Sequence, residues 1–192
     1  VAAMFIKICG ITREEDALLA TALGADAVGF VFAPSTRQVA PSIAGDIARR
    51  LPADIMTVGV FRDEAPKRVV EIVNSEGLRA AQLHGHESPE DCRWIAERVP
   101  VTIRALAAGS SDLRRFDDFG VDLLLLDSPI PGSGEVFDWS LAEAGPGRRQ
   151  MLLAGGLDPG NVASAIERVG PYGVDVSSGV ESRPGRKDPR LL

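Results

Sequence analysis

The sequence has few cysteines and no long apolar run, and these absences exclude several classes of protein. Two cysteines, Cys9 and Cys92, are too few in 192 residues for a disulfide scaffold, so both are predicted to be free thiols. No apolar stretch reaches the ~18 residues of a membrane-spanning helix, and no charged segment followed by an apolar signal core opens the sequence. We therefore expect a soluble, cytoplasmic protein without a membrane partner.

Positive charge is also scarce. The net charge is -6, and no run of Lys and Arg creates a local basic patch, so nucleic acid is not an expected partner. The 192 residues, 45% of them hydrophobic, are enough for one core and too few for two comfortable ones. Residues 1–192 are predicted to form a single domain, and a monomer is the working hypothesis.

Short apolar runs do recur along the chain, and helix-like segments separate them. The eight predicted strands are 5–8, 27–32, 55–61, 80–84, 101–105, 121–126, 151–154 and 172–176. Such alternation is typical of a parallel sheet covered by helices. No G-x-G-x-x-G follows the first run, and polar residues end several different runs. Both features favour a closed (β/α)8 TIM barrel over an open doubly wound sheet.

Capping residues mark where several helices begin or end. A side-chain oxygen before the first turn satisfies free backbone N–H groups, and proline suits the first helical position. The signals are the capping-box pair Thr12 and Glu15, the closing Gly24, the starts Ser88-Pro89 and Asp158-Pro159, and the repeat Ile43, Ile47 and Leu51 in the second helix.

Two connections depart from a regular barrel. The segment 130–150 is rich in Gly and Pro and is predicted to be mostly loop, with a short helical piece near 140–144. After Asp188 only four residues remain, whereas a barrel helix needs about ten. The eighth helix is therefore predicted to be truncated.

The first predicted strand ends in Lys7-Ile8-Cys9-Gly10, at the barrel rim where catalysis occurs in this fold. Side chains alternate along a strand, so Lys7 and Cys9 share the inward face. A cation beneath a thiol favours the thiolate, which makes Cys9 a candidate general base. The alternative is a buried cysteine that packs as a small hydrophobe.

The sixth strand is followed by Asp127, whose carboxylate is expected at the mouth of the core. It is a candidate general acid. The alternative is an aspartate that starts a turn before Ser128-Pro129.

Glycines and serines follow the seventh and eighth strands, where barrels often bind phosphate. Glycines let backbone N–H groups approach an anion, and serine hydroxyls add donors. The alternative is a pair of tight turns that use glycine for positive φ. The candidate phosphate-binding residues are Gly155, Gly156, Asp175, Ser177, Ser178 and Gly179.

Polar residues at the second and fourth strands are candidates for substrate binding, together with Lys7. Arg37 can clamp a carboxylate through two hydrogen bonds, although a solvated surface arginine is the ordinary alternative. Gln82 and His84 share one face of the fourth strand. His86 and Glu87 follow a glycine bend that leaves them in no fixed relation to His84, so we predict no metal site.

Eight motifs in the same order cover nearly the whole chain, and together they are highly specific. They are KICGIT at 7–12, GADAVGFVF at 24–32, VGVF at 58–61, QLHG at 82–85, LLLD at 124–127, GSGEVFDW at 132–139, GGLDPGNV at 155–162 and GVDVSSGVESRPGRKD at 173–188. In these motifs the chain resembles the phosphoribosylanthranilate isomerase family of tryptophan biosynthesis. Glu135 and Arg104 depart from it, since relatives often carry lysine there.

The resemblance implies a barrel and an Amadori rearrangement of N-(5-phosphoribosyl)anthranilate to 1-(2-carboxyphenylamino)-1-deoxyribulose 5-phosphate, without a metal or organic cofactor. It implies that Cys9 is the base, Asp127 the acid and Arg37 the anchor of the anthranilate carboxylate. The glycine and serine loops after strands seven and eight would hold the phosphate.

Two other functions fit part of the sequence. A dual-substrate isomerase that also serves histidine biosynthesis uses paired aspartates, and the cysteine at the end of the first strand argues against it. A non-catalytic barrel that binds phosphorylated metabolites, or a thiol sensor that uses Cys9, remains an alternative. The presence of both Cys9 and Asp127 favours the enzyme.

Overall fold

Eight parallel strands close into a barrel in chain order, with β8 paired to β1. This computed structural model describes residues 4–128 and 151–192. The strands are β1 Phe5–Ile8, β2 Ala27–Val31, β3 Met56–Phe61, β4 Ala80–Leu83, β5 Thr102–Ala107, β6 Leu123–Asp127, β7 Met151–Leu153 and β8 Gly173–Val176. The predicted (β/α)8 TIM barrel is confirmed.

Helices follow most strands and cover the outside of the barrel. They are α1 Glu14–Ala22, α2 Pro41–Ala48, α3 Pro66–Ser75, α4 Pro89–Ala96 and α5 Val162–Val169, with a 3-10 helix over Ser111–Phe119 between β5 and β6. In the described part of the chain, no helix combines the length and the apolar character that crossing a membrane requires.

Between β8 and Leu192 the chain forms no α-helix. A 3-10 turn over Ser178–Val180 leads instead into an antiparallel hairpin, made of β9 Glu181–Arg183 and β10 Arg186–Lys187. The helical piece predicted near 140–144 and the departure at Glu135 lie outside the described residues.

Apolar side chains fill both sides of the barrel strands. A small inner cluster includes Ala27, Val58, Ile103, Leu125 and Leu152. A larger outer cluster joins the strands to the helices and contains Cys92, with Trp94 packed against it. Burial on both faces explains why the strands are almost continuous apolar runs. Cys9 and Cys92 are both free and buried, as predicted.

The predicted capping box at Thr12 is wrong. Helix α1 begins at Glu14, with Arg13 as an N-cap whose side chain makes no capping hydrogen bond. The Thr12 hydroxyl instead donates to the Gly185 carbonyl oxygen at 2.6 Å, which ties the β9–β10 hairpin to the start of α1. The cap at Ser88 is confirmed, since its hydroxyl accepts from the backbone N–H of Asp91 at 3.1 Å.

Two further helix predictions are wrong in detail. The Asp158 carboxylate accepts from the backbone N–H groups of Gly160 and Asn161, so it forms a turn before α5, which begins only at Val162. In α2 the side chain of Ile43 is exposed rather than facing the core, and Leu51 lies beyond the helix end at Ala48. Gly24 has the predicted positive φ, of 100°.

Candidate active site

The carboxyl ends of the barrel strands surround a cavity of about 710 Å³. Ten of the twelve predicted site residues line this cavity. They are Cys9, Arg37, Gln82, His84, Asp127, Gly155, Gly156, Asp175, Ser177 and Ser178. Lys7 and Gly179 do not line it. The side chain of Lys7 is fully buried, one alternation below Cys9 on the same strand.

Lys7 is paired with a carboxylate as well as with the thiol. Strands β1 and β8 place Lys7 opposite Asp175, and the Nζ–Oδ1 distance is 2.7 Å. Burial lowers the pKa of Lys7, but the charges of Asp175 and Cys9 outweigh this effect and raise the pKa above its ordinary value. Lys7 therefore carries a positive charge at neutral pH beneath the cavity floor.

The pKa of the Cys9 thiol lies above its ordinary value, contrary to the expectation of an easily formed thiolate. Burial raises this pKa more than Lys7 lowers it, and the Asp175 carboxylate adds to the rise. The cation beneath the thiol is present as predicted. Its effect is smaller than the cost of desolvating the thiolate.

Gly29 on β2 makes room for this pair, and its role was missed in the sequence. A Cβ atom at this position would lie 2.8 Å from Cys9 Sγ and 3.2 Å from Lys7 Nζ. The distance to Sγ is too short for a carbon atom and the distance to Nζ is tight, so any larger residue would displace the Cys9 thiol. A lone glycine inside an otherwise apolar strand was the available signal, since it indicates close approach of another group.

Asp127 is the last residue of β6, and its two carboxylate oxygens have different partners. Oδ1 accepts from the backbone N–H of Ser128 at 2.8 Å. Oδ2 lies 3.2 Å from His84 Nε2, and His84 Nδ1 lies 3.1 Å from Gln82 Nε2. The predicted shared face of Gln82 and His84 is confirmed. The contact between His84 and Asp127 was not predicted, because it crosses from β4 to β6.

A buried ion pair holds the loop that carries His84. Arg104 Nη1 donates to Glu87 Oε2 at 2.5 Å and to the Leu83 carbonyl oxygen at 3.0 Å, while Nη2 donates to the Gly85 carbonyl oxygen at 3.0 Å. These acceptors flank His84 on both sides in sequence. The planar fork of one guanidinium thus holds all three groups through Nη1 and Nη2.

The loops after β7 and β8 lie against each other. Gly155 and Gly156 both have positive φ, as the tight-turn alternative required. A Cβ on Gly179 would lie only 1.9 Å from the Leu157 carbonyl oxygen, so the two loops are in contact there. Gly155 and Gly156 line the cavity together with Ser177 and Ser178. Tight turns of this kind are compatible with an anion site, because backbone N–H groups stay uncovered.

Arg37 reaches the cavity from the loop after β2, and its guanidinium is already paired with a carboxylate. Nε donates to Glu181 Oε1 at 2.9 Å, and Nη2 donates to Glu181 Oε2 at 2.7 Å. The hydrogen bonds to Glu181 raise the pKa of Arg37 above its ordinary value. Glu181 was not singled out in the sequence, where no local pattern links it to a residue 144 positions earlier.

The histidines do not gather with other ligands around a common centre. His84 contacts Asp127, whereas the side chain of His86 is 87% exposed and lies 3.4 Å from Asp63. Among residues 4–128 and 151–192, no three His, Cys, Asp or Glu side chains are placed to hold a metal ion.

Comparison with known proteins agrees with this geometry. The sequence model of the N-(5'phosphoribosyl)anthranilate (PRA) isomerase family matches residues 6–192. The chain belongs to this family. The N-(5'-phosphoribosyl)anthranilate isomerase of Desulforudis audaxviator is 51% identical, over 97% of this chain and 93% of the relative. The resemblance seen in the motifs and the predicted enzyme class are confirmed.

Solved structures of the PRA isomerase family have the same barrel. The Thermus thermophilus protein superposes with a TM-score of 0.91 at 41% identity, covering 98% of this chain and 94% of that one. A second structure, solved in complex with reduced 1-(o-carboxyphenylamino)-1-deoxyribulose 5-phosphate, has a TM-score of 0.86 and 42% identity, with the same coverage. The family acts in tryptophan biosynthesis, so that prediction is also confirmed.

Proposed function

We propose that this chain converts N-(5-phosphoribosyl)anthranilate to 1-(2-carboxyphenylamino)-1-deoxyribulose 5-phosphate, with Asp127 as general acid and Cys9 as general base. One observation carries the assignment of roles. Cys9 at the end of β1 and Asp127 at the end of β6 line one cavity, and the glycine and serine loops of β7 and β8 lie between them around the barrel.

The first step opens the ribose ring. The protonated Asp127 carboxyl group gives its proton to the ring oxygen while the bond between that oxygen and C1 breaks. The lone pair of the anilino nitrogen forms a double bond to C1, which yields a protonated Schiff base. Contacts with His84 and with the Ser128 N–H hold the Asp127 carboxyl group in one orientation before the substrate binds.

The second step moves a proton from carbon. The Cys9 thiolate removes the proton on C2, the C–H electrons form a C1=C2 double bond, and the nitrogen recovers its lone pair. The resulting enolamine tautomerises to the ketone product. The positive charge on Lys7 stabilises the thiolate before this transfer, since it attracts the ionised form of Cys9.

Binding groups fix the two ends of the substrate. The phosphate is assigned to the loops that contain Gly155, Gly156, Ser177 and Ser178, and the anthranilate carboxylate to Arg37. Asp175 was predicted with the phosphate group. We assign it instead to Lys7, because a carboxylate repels a phosphate and the distance to Lys7 Nζ is 2.7 Å.

A fluorescence assay tests the reaction. Anthranilate-type fluorescence should fall when the substrate is added to the folded protein, at a rate proportional to protein concentration. The matched control is Cys92→Ser, which alters the other buried thiol, outside the cavity, and should leave the rate close to normal. An unchanged signal with pure, folded protein would exclude this function.

Three coarser expectations accompany the proposal. We propose that residues 1–192 behave as one domain, that the protein is a monomer and that it is located in the cytoplasm. Limited proteolysis, light scattering on a sizing column and cell fractionation test the three in turn. A dimer mass in light scattering would contradict the second expectation without affecting the proposed chemistry.

A further inference from the structure

Glu181, at the start of β9, holds one edge of the Arg37 guanidinium. The two hydrogen bonds use Nε and Nη2, and no hydrogen bond within the described residues involves Nη1. The edge formed by Nη1 and Nη2 is therefore left for a second carboxylate. The Glu181 side chain is 4% exposed and that of Arg37 is 21% exposed, so the ion pair is largely buried, and Arg37 lines the cavity.

Lys187 balances the charge of Glu181. Its Nζ donates to Glu181 Oε1 and to the Ser177 carbonyl oxygen, both at 3.0 Å, and its side chain is fully buried. Arg37 and Lys187 together bring two positive charges to one negative charge on Glu181. Burial lowers the pKa of Lys187, and the Glu181 carboxylate opposes this effect. With Lys187 protonated, the cluster has one net positive charge next to the cavity, which is suited to an anionic group of the substrate.

Packing fixes Arg37 relative to the general base. A Cβ on Gly10 would lie 2.5 Å from Arg37 Cδ, so the aliphatic part of Arg37 lies directly on the backbone of the residue after Cys9. The hairpin that carries Glu181 is tied to the same region. Thr12 donates to the Gly185 carbonyl oxygen at 2.6 Å, and the Lys187 N–H donates to Asp16 at 3.0 Å.

We propose that Glu181 is a positioning residue that holds Arg37 for the carboxylate of the substrate, and that Lys187 preserves the positive charge which attracts it. This inference rests on the proposed function only in assigning the anthranilate carboxylate to Arg37. Glu181 occupies the Nε and Nη2 edge of the Arg37 guanidinium and leaves the Nη1 and Nη2 edge available. An arginine held in this way loses little side-chain entropy when it binds a carboxylate, so Glu181 favours binding by orienting Arg37 in advance.

A pair of ligands that differ only in the carboxyl group separates positioning from folding. One is the reduced product analogue with its 2-carboxyphenylamino group, and the other is the phenylamino compound without the carboxyl. Their dissociation constants are measured by calorimetry for wild type, Glu181→Gln and Lys187→Met. The matched control is Glu71→Gln, which removes the carboxylate of the exposed ion pair with Arg68 on α3.

Glu181→Gln should weaken binding of the carboxylate ligand by roughly tenfold and change binding of the phenylamino ligand by less than about twofold. Weaker binding would distinguish orientation from charge, because charge alone predicts that Glu181→Gln binds the carboxylate ligand more tightly. Removing the negative charge leaves two cations, which would attract the carboxylate more strongly if orientation did not matter. Lys187→Met should also weaken only the carboxylate ligand. Glu71→Gln should alter neither.

Arg37→Ala provides the background that shows whether Glu181 acts through this arginine. In that background Glu181→Gln should have no further effect on the preference for the carboxylate ligand. An equal loss for both ligands would assign Glu181 a purely structural role and overturn the proposal. Unchanged or tighter carboxylate binding would overturn it as well. If Glu181→Gln does not fold, Glu181→Asp shortens the side chain and should produce a smaller loss with the same selectivity.

These binding measurements are independent of turnover. Suppose that the wild type does not consume the substrate, but that Glu181→Gln loses the preference for the carboxylate ligand over the phenylamino ligand. The proposed reaction then fails and the positioning role stands. If the wild type is active and Glu181→Gln keeps the preference, only the positioning role fails.

Discussion

His84 Nε2 on the β4 side lies 3.2 Å from Asp127 Oδ2 at the end of β6, across the mouth of the barrel. The two residues are 43 positions apart in sequence, and β5 separates their strands. Gln82 Nε2 lies 3.1 Å from His84 Nδ1, so the three side chains form a continuous series of polar contacts. The site thus orients its acid through a chain of three side chains.

This chain predicts that Gln82→Glu changes the pH dependence more than it changes substrate affinity. A carboxylate at position 82 accepts the proton of Nδ1 and favours the imidazolium, so His84 gains a positive charge beside Asp127. We expect kcat to fall by about tenfold, with a pH profile displaced from that of wild type. Rate measurements across pH check this, and His84→Asn serves as the comparison. Superimposable profiles for wild type and Gln82→Glu would contradict it.

Cys9→Ser and Asp127→Asn should each lower kcat by at least ~100-fold, since each removes one of the two proton transfers. Steady-state assays at a single pH are sufficient to measure this. Binding of the reduced product analogue should change little, because neither variant alters the assigned phosphate or carboxylate contacts. Near-normal turnover in either variant would remove that residue from its role.

The raised pKa of Cys9 predicts that alkylation of this thiol by iodoacetamide becomes faster with pH above neutrality. The thiolate is the reactive form, and burial shifts its formation to higher pH. Below the pKa, the alkylation rate should increase by roughly tenfold per pH unit. Lys7→Met removes a charge that lowers this pKa, so the rise in the alkylation rate should move further toward alkaline pH. An alkylation rate at Cys9 that levels off at or below about pH 8.5 would contradict the raised pKa.

Gly29→Ala should impair turnover while the protein stays folded. The added methyl group would meet Cys9 Sγ at 2.8 Å and force the thiol or Lys7 to move. Displacement of a reacting group by about 1 Å can cost on the order of 100-fold in rate. Gly45→Ala is the control, because its nearest contact is the end of the flexible Glu76 side chain, and neither residue lines the cavity. Equal kcat values for the two variants would show that Cys9 tolerates displacement.

The sequence alone was sufficient for the barrel and for the residues at its rim. Continuous apolar runs, glycines and proline-capped helices are local features, and each has a local physical cause. The order of the strands around a closed parallel barrel then places Cys9, Asp127 and the β7 and β8 loops at one end. Ten predicted residues line the cavity for this reason.

Boundaries that depend on packing were less predictable. Thr12 has the spacing of a helix cap, but its hydroxyl is used by Gly185, which lies 173 residues later. Ile43 fits an apolar repeat in sequence, yet the orientation of α2 leaves its side chain exposed. Local pattern gives the type of element, whereas neighbouring elements decide which side chain is available for a cap or a core.

Sequence by itself determined which chemical groups reach the rim: a thiol, a carboxylate, an arginine and two glycine-containing loops. Only the tertiary structure decided the pKa values and the orientations of these groups. The pKa of Cys9 depends on how strongly burial opposes the attraction of Lys7, and the orientation of Arg37 depends on Glu181, 144 residues away. Desolvation and hydrogen-bond geometry depend on distances between segments that are remote along the chain, and no local pattern contains those distances.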